Sequence, residues 1–355
     1  MNGYSLQGQK EPINIDYNRE NRILRTDFQR WMIAILLIGL FAFPICPISG
    51  DYLIRTIVNF SITIIAAIGL NILMGFCGQG SIAQAAFMAV GAYSSVILTG
   101  RLGFPFWIAL PSAALIAGSL GTLFGLSALK IKGLYLFLVT LGAHFIIEYA
   151  IMHLPSITGG PTGLSVIPPE FGGFTFKSLK SYYYIVVCML VMSIVVANNL
   201  VRTYIGRAWL GIRDKEIVAR GMGVDIYRYK LLAFWVGCAF AGIAGSLWAH
   251  SKTWLAPDDF SLMQAVWFIG IITIGGRGRI LGSILGTIFL LGLGEITIYA
   301  GPAVGRVFPS LSMGIFAASA QLFYAIVIVL FLVFEPGGLV RLCQRLTFQP
   351  RNGTP

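Results

Sequence analysis

The chain has 355 residues, 57% hydrophobic and 11% charged, with a net charge of +11 and a mean hydropathy of +0.81. Soluble domains carry about 25% charged residues, so this deficit, with apolar runs near the ~20 residues that cross a bilayer, excludes a soluble protein. The basic residues lie between the apolar runs, which excludes nucleic-acid binding as the reason for the charge and fits the retention of Lys and Arg on the cytosolic side of a membrane.

Residues 1–29 form a polar tail with little apolar periodicity. It is too polar for a secretory signal, and the apolar run after it is too long and lacks a small-residue cleavage site. Ten apolar segments follow: Trp31–Ile48, Leu53–Phe76, Ser81–Thr99, Pro105–Leu129, Gly133–Met152, Tyr182–Val201, Leu231–His250, Met263–Gly275, Ile280–Ala300 and Ala318–Phe334. The eighth is short, as a broken or re-entrant helix would be. The expected fold is an all-α integral membrane protein, a polytopic helical bundle of about ten transmembrane segments occupying residues 30–335. Cytosolic tails 1–29 and 336–355 flank it.

With the N-terminus in the cytosol, 19 Lys/Arg fall inside and six outside. That separation predicts ten spans with both termini cytosolic, since an odd number would reverse the second half. Trp31, Tyr52, Trp107, Tyr182–Tyr184, Trp248 and Trp254 fall at segment ends, where an aromatic belt belongs. Gly121/Gly125 and Gly282/Gly286 have the spacing that lets helix backbones approach. No convincing internal repeat is visible, although Gly78–Ile82 and Gly276–Ile280 both enter a helix from the same side. The cysteines Cys46, Cys77, Cys188, Cys238 and Cys343 lack paired spacing, which indicates neither a zinc site nor a disulfide framework.

One polar island interrupts the chain, the cytosolic loop 202–230 with seven Lys/Arg. Within it, Asp214–Gly223 predicts a short helix. Glu216, Ala219 and Gly223 share one face of it, and Gly221 and Gly223 supply a stop that tolerates positive φ. A small, exposed face of that kind suits docking to a partner, with Glu216 pairing a basic group there. Arg207, Arg213, Asp214 and Gly221 complete the candidate coupling set. The competing reading is a solvated basic helix lying on the membrane.

The order of motifs resembles LivM-type permeases, membrane subunits of ABC importers for branched-chain amino acids. In the loop they are Gly206-Arg207-Ala208, Gly211-Ile212-Arg213-Asp214, Glu216-Ile217, Ala219, Gly221 and Gly223, then Arg228–Phe234. Upstream lie Gly69–Leu73, Gly75, Gly78-Gln79, Ser81, Gln84–Phe87 and Gly91-Ala92-Tyr93, then Gly133–Leu136, Val139-Thr140-Leu141 and Thr158–Leu164. Downstream are Ile274-Gly275-Gly276, Gly278, Phe334, Pro336 and Gly338-Leu339.

The resemblance implies a permease in the bacterial inner membrane, paired with a second homologous permease. Two cytosolic ATPases and a periplasmic solute-binding protein would complete the importer. It implies passage of branched-chain or related amino acids; urea, short amides, aromatic acids and sugars are rival solutes. No phosphate-cradling GxxxxGK[ST], HExxH or nucleophile elbow occurs. The chain is therefore expected to be no enzyme and to hold no metal or cofactor, with ATP used by the partner ATPases.

Candidate pathway residues are Gln79 and Gln84, as gate or inter-helix glue, and Glu148, as pathway lining or interface anchor. His144 lies one turn before Glu148, within reach of it at i, i+4. Glu295 sits near an outer helix end. The outer loop, with Thr158, Gly159, Gly160 and Gly163, reads as tight turns or as a contact for a binding protein. An ion-coupled secondary transporter would show more mid-membrane charge and inverted repeats.

Overall fold

The computed structural model describes residues 39–45, 50–128, 131, 133–171, 174–176, 178–307, 326, 329 and 338–341. The chain divides into two units, Met1–Cys46 and Pro47–Pro355. The described part of the first unit is helical and closes in a 3-10 turn, Phe43–Ile45. Most of the predicted first span, nearly all of the tenth and the tail 1–29 lie outside the described residues.

The second unit is a helical bundle. Helix α1 (Asp51–Leu70) continues as a π-helix, Asn71–Phe76. It is followed by α2 (Gln84–Gly100), α3 (Phe106–Ala128) and α4 (Leu134–His153). Then come α5 (Leu179–Arg202), α6 (Tyr204–Gly221) and α7 (Ile226–His250). Helices α8 (Leu262–Gly275) and α9 (Ile280–Val307) complete the series. Predicted segments two to nine each coincide with one of these helices.

Six segments are long and apolar enough to cross a membrane: Asp51–Phe76, Phe106–Ser127, Tyr135–His153, Leu179–Arg202, Ile226–His250 and Pro257–Gly275. Gln84–Gly100 and Ile280–Ile296 are apolar but shorter. The predicted short eighth segment is lengthened by a 3-10 turn, Pro257–Phe260, that leads into α8. The seventh starts earlier than predicted, because the Asp225 side chain accepts a bond from Arg228 N at 3.3 Å and caps α7 at Ile226. An N-cap of this kind outweighs the polarity of the first turn.

Helix α7 is the hub, packed against α1, α2 and α3. Without a hydrophobic drive between helices in lipid, close backbone approach through small residues supplies the packing. A Cβ on Gly245 would sit 1.8 Å from Met88 O, and one on Gly91 2.4 Å from Gly242 Cα. The predicted small-residue pairs do the same. Gly121 and Gly125 of α3 lie against Cys238 and Phe234 of α7, and Gly282 and Gly286 of α9 lie against Gly276 and Ile271 at α8.

Two loop clusters cap the bundle. At one end gather the turn after Phe76, helix α6 and the turn between α8 and α9. At the other, β1 (Leu164–Ser165) pairs antiparallel with β4 (Trp254–Leu255), while β2 (Glu170–Phe171) and β3 (Phe174–Thr175) form a hairpin.

Candidate functional site

The sequence predicted one compact helix over Asp214–Gly223. The structure instead has α6 beginning at Tyr204 and breaking at Lys215, whose φ of −151° and ψ of 93° are non-helical. The first half is anchored by Trp209, fully buried, whose Nε1 donates to Tyr229 O at 2.8 Å. The second half ends in a Schellman turn. Val224 N donates to Ala219 O at 3.1 Å and Gly223 N to Arg220 O at 3.0 Å, with Gly223 at φ +81°. Glycine is favoured there because a Cβ penalises that conformation.

Of the face expected to meet a partner, Ala219 and Glu216 turn inward while Gly223 stays exposed. Ala219 is buried with Ile212 and Ile226, with Val224 and Tyr229 packed against them. Glu216 faces Lys230 of α7, with 3.3 Å between Oε2 and Nζ, and Lys230 is only 3% exposed. The physical reason is local. A lysine drawn into the first turns of α7 needs a counter-charge, and the break at Lys215 rotates Glu216 towards it. Large apolar side chains are left outside beside the charged Lys215, Arg220 and Arg228: Ile217 is 87% and Met222 79% exposed, with Val218 and Tyr227 also exposed. Arg207, Asp214, Gly221 and Gly223 are exposed too.

Arg213 ties this segment to the bundle. Its Nη1 donates to Gly75 O at 2.7 Å and its Nε to Asp214 Oδ1 at 3.0 Å. The Gly75 carbonyl is in reach because the helix winds as a π-turn here, with Cys77 N bonded to Ile72 O and Gln79 N to Leu73 O. Such π-turns are rare and concentrate at functional sites.

Asn71, buried at the head of that turn, holds the loop between α8 and α9. Its Nδ2 donates to Arg279 O at 2.7 Å and to Ser283 Oγ at 3.0 Å, and its Oδ1 accepts from Gly278 N at 2.9 Å. Gly75 and Gly278 leave room for the arrangement. A Cβ on Gly75 would overlap Asn71 Oδ1 at 1.9 Å, and one on Gly278 would lie 2.5 Å from Arg213 Nη1. Gly338 packs on the same loop, with Gly276 Cα 2.6 Å from its would-be Cβ. The two glycine turns that looked alike in sequence are thus stapled together by Asn71 and Arg213.

Beside this junction lies a cavity of about 260 Å³ lined by Gln79, Phe137, Arg213, Glu216 and Lys230. The Cys77 thiol on its wall is pushed by burial up to about 12, with Lys230 pulling the other way. It is protonated at neutral pH and acts as packing.

The remaining predicted positions are scattered. Gln84 is buried and donates through Nε2 to Ala66 O at 2.8 Å, bonding α2 to α1. His144 is fully buried on α4, 3.7 Å from Glu148 Oε2, which is longer than a hydrogen bond. Thr158 Oγ1 bonds Ile151 O and Leu154 O, closing the turn after α4. Gly159, Gly160 and Gly163 all have positive φ. A Cβ on Gly163 would meet Leu255 O at 2.1 Å. That loop packs on the β4 segment as a built turn, with Trp254 Nε1 donating to Thr162 O at 2.8 Å.

Two features escaped sequence reasoning. The first is a buried chain at the far end: Ser246 Oγ donates to Ser95 Oγ at 2.8 Å, Ser95 Oγ lies 3.0 Å from His250 Nε2, and His250 Nδ1 lies 3.0 Å from Ile167 O. A carbonyl only accepts, so Nδ1 carries the proton and Nε2 accepts from Ser95. The second is a groove of about 1000 Å³ between α1, α8 and α9, with Asn59, Thr63, Gln264 and Glu295 among mostly apolar walls.

Residues 52–334 match the family model described as "Branched-chain amino acid transport system / permease component". The chain belongs to this permease family. It is 33% identical over 287 residues to the high-affinity branched-chain amino acid transport system permease protein LivM of Escherichia coli (strain K12), covering 74% of this chain and 67% of that protein. It is 25% identical over 267 residues to a probable branched-chain amino acid transport permease protein LivH of Methanocaldococcus jannaschii, covering 71% and 82%. A segment of 116 residues is 28% identical to the autoinducer 2 import system permease protein LsrC of an Enterobacter species, covering 31% and 34%. No solved structure matches the chain. Family and helices together make it a multi-pass membrane permease, a transport component rather than an enzyme.

Proposed function

We propose that this permease is one membrane half of an ABC importer in the bacterial inner membrane, with ten spans and both termini in the cytosol. It passes branched-chain or related amino acids delivered by a periplasmic binding protein. A second, homologous permease completes the pathway, and two cytosolic ATPases hydrolyse the ATP; the chain itself carries no cofactor. The observation that carries this reading is the junction of Arg213, Gly75, Asn71 and Gly278. It connects an exposed apolar knob on α6 to the ends of α1, α8 and α9. Such a linkage would carry movement of the surface segment to the helix ends. Names of the relatives support the solute class.

The test is reconstitution with candidate ATPases and a candidate second permease. Proteoliposomes holding the complete set and the binding protein accumulate leucine only with ATP, and the purified chain alone hydrolyses none. ATP hydrolysis by the chain alone, or leucine uptake without the ATPases, refutes the reading. Single cysteines placed near Gln9 and Thr354 should react only from the cytosolic face.

A further inference from the structure

Helix α1 carries a stripe of polar side chains at helical spacing: Tyr52, Thr56, Asn59 and Thr63. Such spacing puts them on one face, and the face is turned to the groove between α1, α8 and α9. Tyr52 Oη donates to Glu295 of α9, Thr56 Oγ1 to the same carboxylate at 3.4 Å, and Asn59 and Thr63 line the groove itself. The Asn59 side chain is exposed, with no hydrogen-bond partner for its amide among the described residues. A second, independent observation lies on the same walls. Trp248 Nε1 and Gln264 Oε1 are buried without a partner among the described residues. Both residues are among those that line the groove.

Ionisable and amide groups on helices that cross a membrane are expensive unless they serve a pathway or a partner. Here they collect along one groove at the end away from α6, because α1 starts, α7 ends and α8 starts at that end. Between these polar groups the accessible walls are mostly apolar: Phe60, Val266, Ile269 and Leu291. The combination of an anion, an amide donor and an aliphatic wall fits a small zwitterion with an apolar side chain. An acyl chain would need no carboxylate. A packed helix would need a flatter surface.

We propose that this groove holds the solute during passage, with Glu295 taking the ammonium group, Asn59 the carboxylate, and the wall of Phe60, Ile269 and Leu291 the aliphatic side chain of an α-amino acid. The inference rests on the amino-acid importer reading above and adds where the solute sits and which side chains select it. Glu295 has acceptor sites left after Tyr52 and Thr56, since a carboxylate offers about four.

The experiment uses the complete transporter in proteoliposomes, with Val266→Cys as a reporter, because Val266 is half-exposed on the groove wall. Its maleimide labelling is followed by site-resolved mass spectrometry. L-Leucine should slow labelling at least fivefold. 4-Methylpentanoate, which lacks the ammonium, and 3-methylbutylamine, which lacks the carboxylate, should not. Glu295→Gln and Asn59→Leu should each abolish the protection and raise the KM for leucine uptake at least tenfold, with the ATPases still co-purifying. Equal slowing by all three compounds, or slowing by the bilayer regardless of leucine, would mean an apolar occupant and overturn the proposal. So would KM values within twofold of wild type in both variants. If the unmodified transporter imports no amino acid at all, the importer reading fails instead, and that arm is read before the variants.

Discussion

Replacing Arg213 with alanine should uncouple the α6 knob from the bundle while leaving the knob folded. The side chain makes one charge-assisted bond to Gly75 O at 2.7 Å and fills the space between the Gly78 and Gly278 turns. A bond of this type contributes about 1.5–3 kcal/mol. The side chain is 35% exposed, so solvent screening reduces the figure to about 1–1.5 kcal/mol, or roughly five- to tenfold in the population of the docked arrangement. The knob itself stays intact, because Trp209–Tyr229, Glu216–Lys230 and the Gly223 turn do not involve Arg213. The assay is solute moved per ATP hydrolysed in proteoliposomes holding the full transporter. Arg213→Ala should lower this ratio five- to tenfold with the ATPases retained. Arg213→Lys should fall between, since an ammonium does not reproduce the two-pronged guanidinium contact. A ratio within twofold of wild type in Arg213→Ala refutes the assignment of Arg213 as the link.

Two further changes probe the same architecture. Ile217→Asp and Met222→Asp place charge on the exposed apolar face and should weaken ATPase co-purification at least tenfold, whereas Ala219→Leu should leave it intact and instead lower the melting temperature, because overpacking a small core costs about 1–3 kcal/mol; the opposite pattern would restore the small face as the docking surface. Gly286→Val should destabilise the purified chain in a thermal melt, because a Cβ there falls 2.0 Å from Ile271 O, and an unchanged melt would show that α8 and α9 separate freely.

The bundle was legible because apolar length is a one-dimensional signal. Leu53–Phe76 and Leu231–His250 needed only their composition to be recognised as helices. The glycine spacings at Gly121/Gly125 and Gly282/Gly286 carried their contact partners no further, since spacing names a face and not what faces it. The polar segment 202–230 stands out by its charge, but charge alone does not show which of its side chains turn inward. Glu216 and Ala219 both lie beyond the break at Lys215 and do share a face, and Lys230, fourteen residues after Glu216, supplies the counter-charge that turns that face inward. Asn71 was visible inside a quoted motif, and its role was not, because its partners Gly278, Arg279 and Ser283 lie some 200 residues on. The Tyr52–Thr63 stripe had a readable period, but four polar residues in an apolar helix acquire meaning only once Glu295 is beside them.

The arrangement explains how a push on α6 would be delivered at two points. Glu216 and the Trp209–Tyr229 bond join α6 to the start of α7, the helix on which α1, α2 and α3 pack. Arg213 joins it to the π-turn of α1 and, across Gly75 and Asn71, to the α8–α9 loop. A rigid helix transmits displacement along its axis, and π-turns are among the places where helices bend. The compliant element therefore sits directly under the guanidinium. Helix α1 carries the π-turn at one end and the polar stripe towards the other, and α8 and α9 form the opposite walls of the same groove. On the proposed reading, movement of α6 changes the spacing of α1 against α8 and α9 at the loop end, and the groove is the space that change opens or closes. Coupling and solute handling then share one helix, so a substitution at Asn71, far from Glu295 in the fold, should alter solute affinity as well as coupling.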